Sequence, residues 1–448
     1  MKTVLCGLLA MALGTMAAAP DREFLVGAAV APITPPLPFW LSGYAARTNM
    51  ALSVRSPLHA KALAIEDRAG QRVVIVTTDL IGLPREVSDA AAERIMREHG
   101  LSRSQILFNS SHTHCGPAVW PNLQVLFAMN NADMEQTRQY ASTLARTLAS
   151  VASNALAARA PARLACGNGR ATFAINRRPP RAVGAQAPAA PTDHDVPVIS
   201  ITDPNGLIRA ILFGYACHNT TLGADFAEVD GDYAGQAQRE LENAFPGCTA
   251  LFLMLCGGDQ NPSPRGQYAH VENHGRALAA AVRAALGGPR REIHGPLRTA
   301  WREIPLAFAP HQRADFEAEL GSTHVFRQRR ARLMLADYDA GRPRRELRYP
   351  IQGIALGTGL TLLGLGGEVV VDYALRARRE FPDHPLLVAG YCNDVACYIP
   401  SLRVLREGGY EPVDSMIYYG LPGPFAEDVE DRVFRGLTAV IEDLHRRR

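Results

Sequence analysis

Gln105-Ile106-Leu107-Phe108-Asn109-Ser110 runs directly into Ser111-His112-Thr113-His114-Cys115-Gly116-Pro117. The first six residues have the length and apolar character of a buried strand, and Gly116-Pro117 closes the polar stretch with a turn signal. In extended chain, residues i and i+2 point to one side, so His112 and His114 would present two imidazoles to a single cavity at the strand end. A pair of polar turn residues at the surface is the other reading. The use of histidine as metal ligand and general base favours the cavity.

Similar apolar runs occur at Arg72 to Asp79, Val196 to Thr202, Leu207 to Ala216, Thr249 to Leu255, Ile351 to Leu356 and Pro385 to Gly390. Between them apolar residues return at helical spacing over Glu86 to Glu98, Met134 to Leu156, Tyr233 to Ala244, Val271 to Leu286, Phe326 to Tyr338, Val369 to Glu380 and Ala426 to Leu444. The alternation predicts an α/β fold, with central β-sheet layers flanked by α-helices. Val196 to Thr202 and Leu207 to Ala216 succeed each other with no helix between them, which predicts a mixed sheet. No internal repeat occurs, and the Ala- and Pro-rich stretch Pro179 to Pro197 reads as a surface excursion.

The chain of 448 residues is 47% hydrophobic and 20% charged, which excludes disorder, collagen and coiled coil. Its 47 basic and 44 acidic residues leave a net charge of +3, and Lys2 and Lys61 are the only lysines. Arginines gather at Arg327, Arg329, Arg330 and Arg332, then at Arg342, Arg344, Arg345 and Arg348. Interrupted by Gln328, Ala331, Pro343 and Glu346, they read as a solvated helix face and its turn, not as a nucleic-acid stripe.

Met1 to Ala19 has Lys2 at its front, an apolar run from Val4 to Met16, and three alanines before Pro20. This is the pattern of a cleaved secretory signal peptide, and the run is too short to span a bilayer comfortably. Residues 20–448 would then be periplasmic or secreted, with no transmembrane anchor. Without Cys6, seven cysteines remain: Cys115, Cys166, Cys217, Cys248, Cys256, Cys392 and Cys397. An oxidising compartment permits one to three bridges, with Cys248 and Cys256, or Cys392 and Cys397, nearest in sequence. No C-x-x-C pair exists, which argues against zinc on paired cysteines.

Three further strand-like runs end in polar groups. Gly214-Tyr215-Ala216-Cys217-His218-Asn219 precedes Val229-Asp230-Gly231-Asp232-Tyr233-Ala234-Gly235, which opens a helix. Leu251 to Leu255 leads to Cys256-Gly257-Gly258-Asp259-Gln260-Asn261-Pro262, where glycines allow close backbone approach. Gly364-Leu365-Gly366-Gly367 delivers Glu368, which also suits a helix N-terminus. Binding groups in α/β proteins are commonly placed at strand ends.

Taken together, these residues resemble the neutral, non-lysosomal ceramidase family, in particular its N-terminal catalytic domain. S-H-T-H-x-G-P stands here as Ser111 to Pro117, N-R-x-P as Asn176 to Pro179, G-D-x-x-G as Gly231 to Gly235, and G-D-x-x-P as Gly258 to Pro262. Gly367-Glu368, the segment Asn393 to Ile399, Tyr410-Glu411, and an early Ile33 to Pro35 with Gly43 to Ala45 also match, in the family's order. The resemblance implies one large catalytic domain over residues 20–448 and a zinc hydrolase acting on an amide. It carries the zinc ligands onto His112, His218, Glu368 and Tyr398, and the handling of the scissile amide onto His114, Arg177 and Tyr410. Two neutral imidazoles with hard oxygen donors suit Zn²⁺ and leave a position for water. His114 would pass a proton to the leaving nitrogen, and Arg177 or Tyr410 would stabilise the oxyanion.

Two departures stand out. In ceramidases the G-D-x-S-P motif carries a serine proposed as nucleophile; here that position is Asn261, with Ser263 two residues on. Asparagine forms no acyl-enzyme, so attack by zinc-activated water is expected. Ceramidases also carry a C-terminal β-sandwich domain, whereas this chain is expected to end with its last helix. The expected function is an exported zinc-dependent hydrolase of a carbon-nitrogen bond, with an N-acyl or other lipid-like amide as substrate. An ester or lactone hydrolase on the same site, and an extracytoplasmic binding protein without turnover, are the alternatives.

Overall fold

The computed structural model describes residues 24–178, 190–357 and 359–446. The expected signal peptide, Pro179 and most of the Ala/Pro-rich excursion lie outside the described residues. Numbering the longer strands in chain order, the first sheet holds β1 (Phe24–Pro32), β2 (His59–Asp67), β3 (Arg72–Thr78), β4 (Ile106–Ser110), β5 (Ala160–Arg170), β6 (Asp195–Thr202), β7 (Ile208–Tyr215), β8 (Thr249–Met254) and the short β9 (Arg291–Ile293). The second holds β10 (Leu297–Ala307), β11 (Glu346–Leu356), β12 (Leu360–Leu365) and β13 (Leu386–Ala389). The principal helices are α1 (Arg85–His99), α2 (Asn131–Ala157), α3 (Asp232–Ala244), α4 (Tyr268–Gly287), α5 (Val325–Asp339), α6 (Asp372–Glu380) and α7 (Val429–His445).

The first sheet runs β8-β7-β6-β5-β1-β2-β3-β4, with β9 beside β5. Its two ends are parallel pairs, β7 with β8 and β3 with β4, and every pairing between them is antiparallel. The sheet is therefore mixed, as the adjoining runs at Val196 and Leu207 predict. The second runs β10-β11-β12-β13 and is likewise mixed, with β12 and β13 parallel.

Side-chain alternation along the strands builds four layers. On one face of the first sheet, Ala62, Val74, Val76, Ile106 and Phe108 meet Ala91 and Ile95 of α1 and Leu144, Leu148 and Val151 of α2. Farther along that face, Ile211, Phe213 and Phe252 meet Leu241 of α3 and Leu278 and Val282 of α4. The alternate residues Leu63, Val73, Ile75, Leu107, Leu212 and Leu253 face Ile354, Leu356, Leu362 and Leu387 of the second sheet. The outer side of that sheet, with Tyr349, Ile351 and Leu363, is covered by Tyr373 of α6 and by Val433, Leu437 and Val440 of α7. Each such aliphatic side chain contributes about 1.5–3 kcal/mol on full burial. At Gly27 a Cβ would lie 2.2 Å from the Ala155 carbonyl oxygen, so glycine is what lets α2 lie against β1.

The result is one α/β domain with mixed sheets between helices. The helix expected from Val369 begins instead at Asp372, because Glu368–Val369 pairs in parallel with Tyr398–Ile399. Arg330, expected on a solvated face, is buried and bonded to Glu319. All seven cysteines among the described residues are free. No described helix is long and apolar enough to cross a membrane.

Candidate active site

β4, β7 and β12 deliver their following residues to one place. His112 and His114 lie beyond the end of β4 in a turn, not in the extended chain that the i, i+2 spacing suggests. His112 has φ of 66°, a left-handed backbone that non-glycine residues seldom adopt, and its N–H donates to the Leu80 carbonyl at 2.8 Å. The turn brings the two imidazoles together all the same, with Nε2 to Nε2 at 3.1 Å. His218, three residues past β7, is anchored by its N–H to the Gln260 carbonyl at 2.9 Å.

Second nitrogens fix what these rings offer. His112 Nδ1 lies 2.6 Å from the Ile81 carbonyl oxygen, and His218 Nδ1 lies 2.8 Å from that of Gly257. Only a protonated Nδ1 donates to a carbonyl, so each neutral ring turns a bare Nε2 lone pair inward. Both meet Glu368 Oε2, at 2.9 Å from His112 and 3.1 Å from His218. The Tyr398 hydroxyl stands 3.1 Å from His218 Nε2. Buried acceptors facing acceptors repel unless a cation lies among them. Imidazole nitrogens of His112, His114 and His218 all lie within 4.8 Å of one another, and this buried group can hold a metal. Nitrogen donors with a carboxylate and a phenol suit a divalent ion of borderline softness.

Around this centre the remaining expected residues converge. Tyr419 donates its hydroxyl to Glu368 Oε1 at 2.5 Å, and Tyr391 donates to Oε2 at 3.4 Å. Arg177 donates from Nε to Glu411 at 2.8 Å and from Nη2 to the Tyr398 hydroxyl at 3.1 Å, while Nη1 lies 3.4 Å from Asn261 Oδ1. Tyr410 places its ring beneath the Arg177 guanidinium, 5.4 Å from carbon to centroid. The His114 Nδ1 is buried and has no hydrogen-bond partner among the described residues. It is packed against Gly43, where a Cβ would come within 2.3 Å of it. Ser263 is exposed and does not line the cavities over the site.

Charge follows from burial and neighbours. Burial, together with His112 and His218, holds His114 well below the usual imidazole range, and burial with Arg177 pushes His218 down to about 4. Burial keeps the Tyr398 phenol protonated far above its ordinary value. Two cavities of about 390 and 190 Å³ open on the site and share Gly43, Tyr44, His114, Tyr398 and Tyr410. Tyr391 and Tyr419 were not singled out by their sequence context, and Gly43 and Tyr44 stood out only through the early motif match. Single tyrosines and glycines carry no spacing signal.

Residues 24–287 match the sequence profile of the family described as neutral/alkaline non-lysosomal ceramidase, N-terminal. Among solved structures, the neutral ceramidase from Pseudomonas aeruginosa superposes with a TM-score of 0.73 at 20% identity, over 93% of this chain and 73% of that one. A ceramidase complexed with C2 superposes equally well, with a TM-score of 0.73 at 19% identity, over 93% and 74% of the two chains. At this identity the likeness is one of fold. No curated protein matches the chain.

Proposed function

Because the chain belongs to the neutral/alkaline non-lysosomal ceramidase family, we propose that it is an exported, zinc-dependent hydrolase of a carbon-nitrogen bond in an N-acyl amide. The observation that carries the reading is the convergence of two inward Nε2 lone pairs on one Glu368 carboxylate oxygen, at 2.9 and 3.1 Å. His112, His218, Glu368 and Tyr398 would hold zinc, which when bound supplies Lewis acidity and water with a pKa lowered toward about 7. The backbone carbonyls of Ile81 and Gly257 orient the two imidazoles. Tyr419 and Tyr391 orient the carboxylate.

His114 is the proton carrier. Its Nδ1 has no partner among the described residues, and as a neutral imidazole it takes a proton and returns it to the leaving nitrogen. Arg177, held by Glu411, sets a fixed positive charge beside Tyr398 for the developing oxyanion, with Tyr410 at the cavity mouth. Asn261 lines the wall and bonds Arg177 as a positioning group, not as a nucleophile.

The test is metal analysis of freshly purified protein, followed by assay of wild type and His112→Ala on short- and long-chain N-acyl amides and matched esters. Stoichiometric zinc with His112-dependent amide cleavage is expected. Protein purified without bound metal, or turnover that survives the substitution, would overturn the mechanism.

A further inference from the structure

The larger cavity over the site is lined without aliphatic side chains. Its wall is built of glycine, tyrosine, histidine, arginine, Thr220, Asn261 and Glu411, with no Leu, Ile, Val, Met or Phe among its lining residues. Three arginines, Arg177, Arg178 and Arg265, line it with a single acidic residue, Glu411. That carboxylate is already shared between Arg177 and Arg178, and Glu407 bonds Arg178 as well. Arg265 makes no hydrogen bond or ion pair among the described residues. Residues 179–189, which come after Arg178, contain no Asp or Glu.

Arg265 is exposed, but the backbone beneath it is fixed. The Pro264 carbonyl oxygen lies 2.7 Å from His274 Nε2, and the Gly266 N–H donates to the Thr221 carbonyl at 2.7 Å. His274 is buried and stacks on Phe173 at 4.5 Å between centroids. The smaller cavity, about 190 Å³, differs in kind: Ile81, Leu123 and Leu126 give it an apolar side, and its size suits a short acyl group.

We propose that the substrate is a small N-acyl amide bearing a carboxylate, such as an N-acyl amino acid. Arg265 takes the carboxylate, the smaller cavity takes a short acyl group, and the scissile carbonyl lies between them at the histidines. The idea rests on the amide-hydrolysis reading and sharpens it. Water adds across the carbon-nitrogen bond, the acyl carbon leaves as a short carboxylic acid, and the nitrogen leaves as the free amino acid.

Metal-loaded protein is titrated calorimetrically with N-butyryl-leucine and with N-butyryl-leucinamide, which differ only in the carboxylate, and both are then assayed for cleavage. Wild type should bind the acid about tenfold more tightly, the scale of one charge-assisted pair. Arg265→Glu should abolish that preference, and Arg265→Lys should keep part of it. Equal binding of the two compounds by wild type, or an acid preference unchanged in Arg265→Glu, overturns the carboxylate site. Arg265-dependent binding without cleavage supports the carboxylate site while refuting amide hydrolysis; cleavage of both compounds at equal efficiency refutes the carboxylate site while leaving amide hydrolysis standing.

Discussion

Asn109 faces Met254 as one peptide group faces another: its Nδ2 donates to the Met254 carbonyl at 3.1 Å, and its Oδ1 accepts the Met254 N–H at 2.8 Å. β4 and β8 are opposite edges of one sheet, so this side chain joins the two edges where they curl together. A third bond, from Nδ2 to the Gly390 carbonyl at 2.8 Å, ties in the end of β13. From here the chain enters the His112 turn, which is how distant strand ends reach a common centre.

Asn109→Ala should therefore destabilise the fold by on the order of 3 kcal/mol, because it removes the side-chain partner of the buried Met254 N–H and carbonyl and leaves the Gly390 carbonyl only the Cys392 thiol. Asn109→Asp should cost more, since a carboxylate would face two carbonyl oxygens. Urea unfolding measures both; an alanine variant as stable as wild type would refute the bridging role.

Gly43→Ala tests whether His114 must sit where it does. With φ at 97° and a Cβ that would lie 2.3 Å from the ring nitrogen, the substitution must displace the imidazole. His112, His218 and Glu368 are held by other groups, so metal content should persist while kcat/KM falls at least about tenfold, as expected for a misplaced catalytic group. Full activity in this variant would remove His114 from proton transfer.

The reach of the sequence depends on what kind of signal each residue carries. Short β-rich runs such as Arg72 to Asp79 and Thr249 to Leu255 stand within a residue of β3 and β8. β1, β2, β5 and β10 escaped because small or charged residues break up each of their apolar runs. His59–Asp67 is rich in alanine, Ala160–Arg170 in small residues, and Leu297–Ala307 is interrupted by the exposed charges of Arg298, Arg302 and Glu303. At the site, His112, His114 and Glu368 announce themselves by position at strand ends. Tyr391 and Tyr419 matter only because Glu368 lies between them in space, and Arg265 only because no carboxylate among the described residues pairs with it.

Asn261→Ser restores the hydroxyl that the family motif carries. Asn261 meets the site through Arg177 at 3.4 Å, so the serine variant should retain its metal and lose some of the Arg177 positioning. Its progress curves should lack an acyl-enzyme burst, and mass spectrometry of the quenched enzyme should find no covalent adduct. An adduct on wild-type Ser263 would contradict water as the nucleophile.

Asp394 offers a pH test outside the metal centre. Its carbonyl accepts the Gly367 N–H at 2.8 Å, just before Glu368. Its carboxylate lies 3.2 Å from Arg85, a guanidinium that also pairs with Glu303 at 2.5 Å. Burial pushes the Asp394 carboxyl up to about 6 despite Arg85. The unfolded chain titrates near 3.9. Because the folded value is the higher one, the stability tied to the bound proton is fully present below about pH 4 and is lost as pH rises through about 6. A displacement of that size corresponds to about 3 kcal/mol. Asp394→Asn keeps a neutral group and an acceptor for Arg85 while removing the titration. Measured by urea unfolding, the variant should therefore gain stability relative to wild type as pH rises from 4 to 7. A stability difference that stays constant over that range would show that Asp394 titrates alike in the folded and unfolded chains.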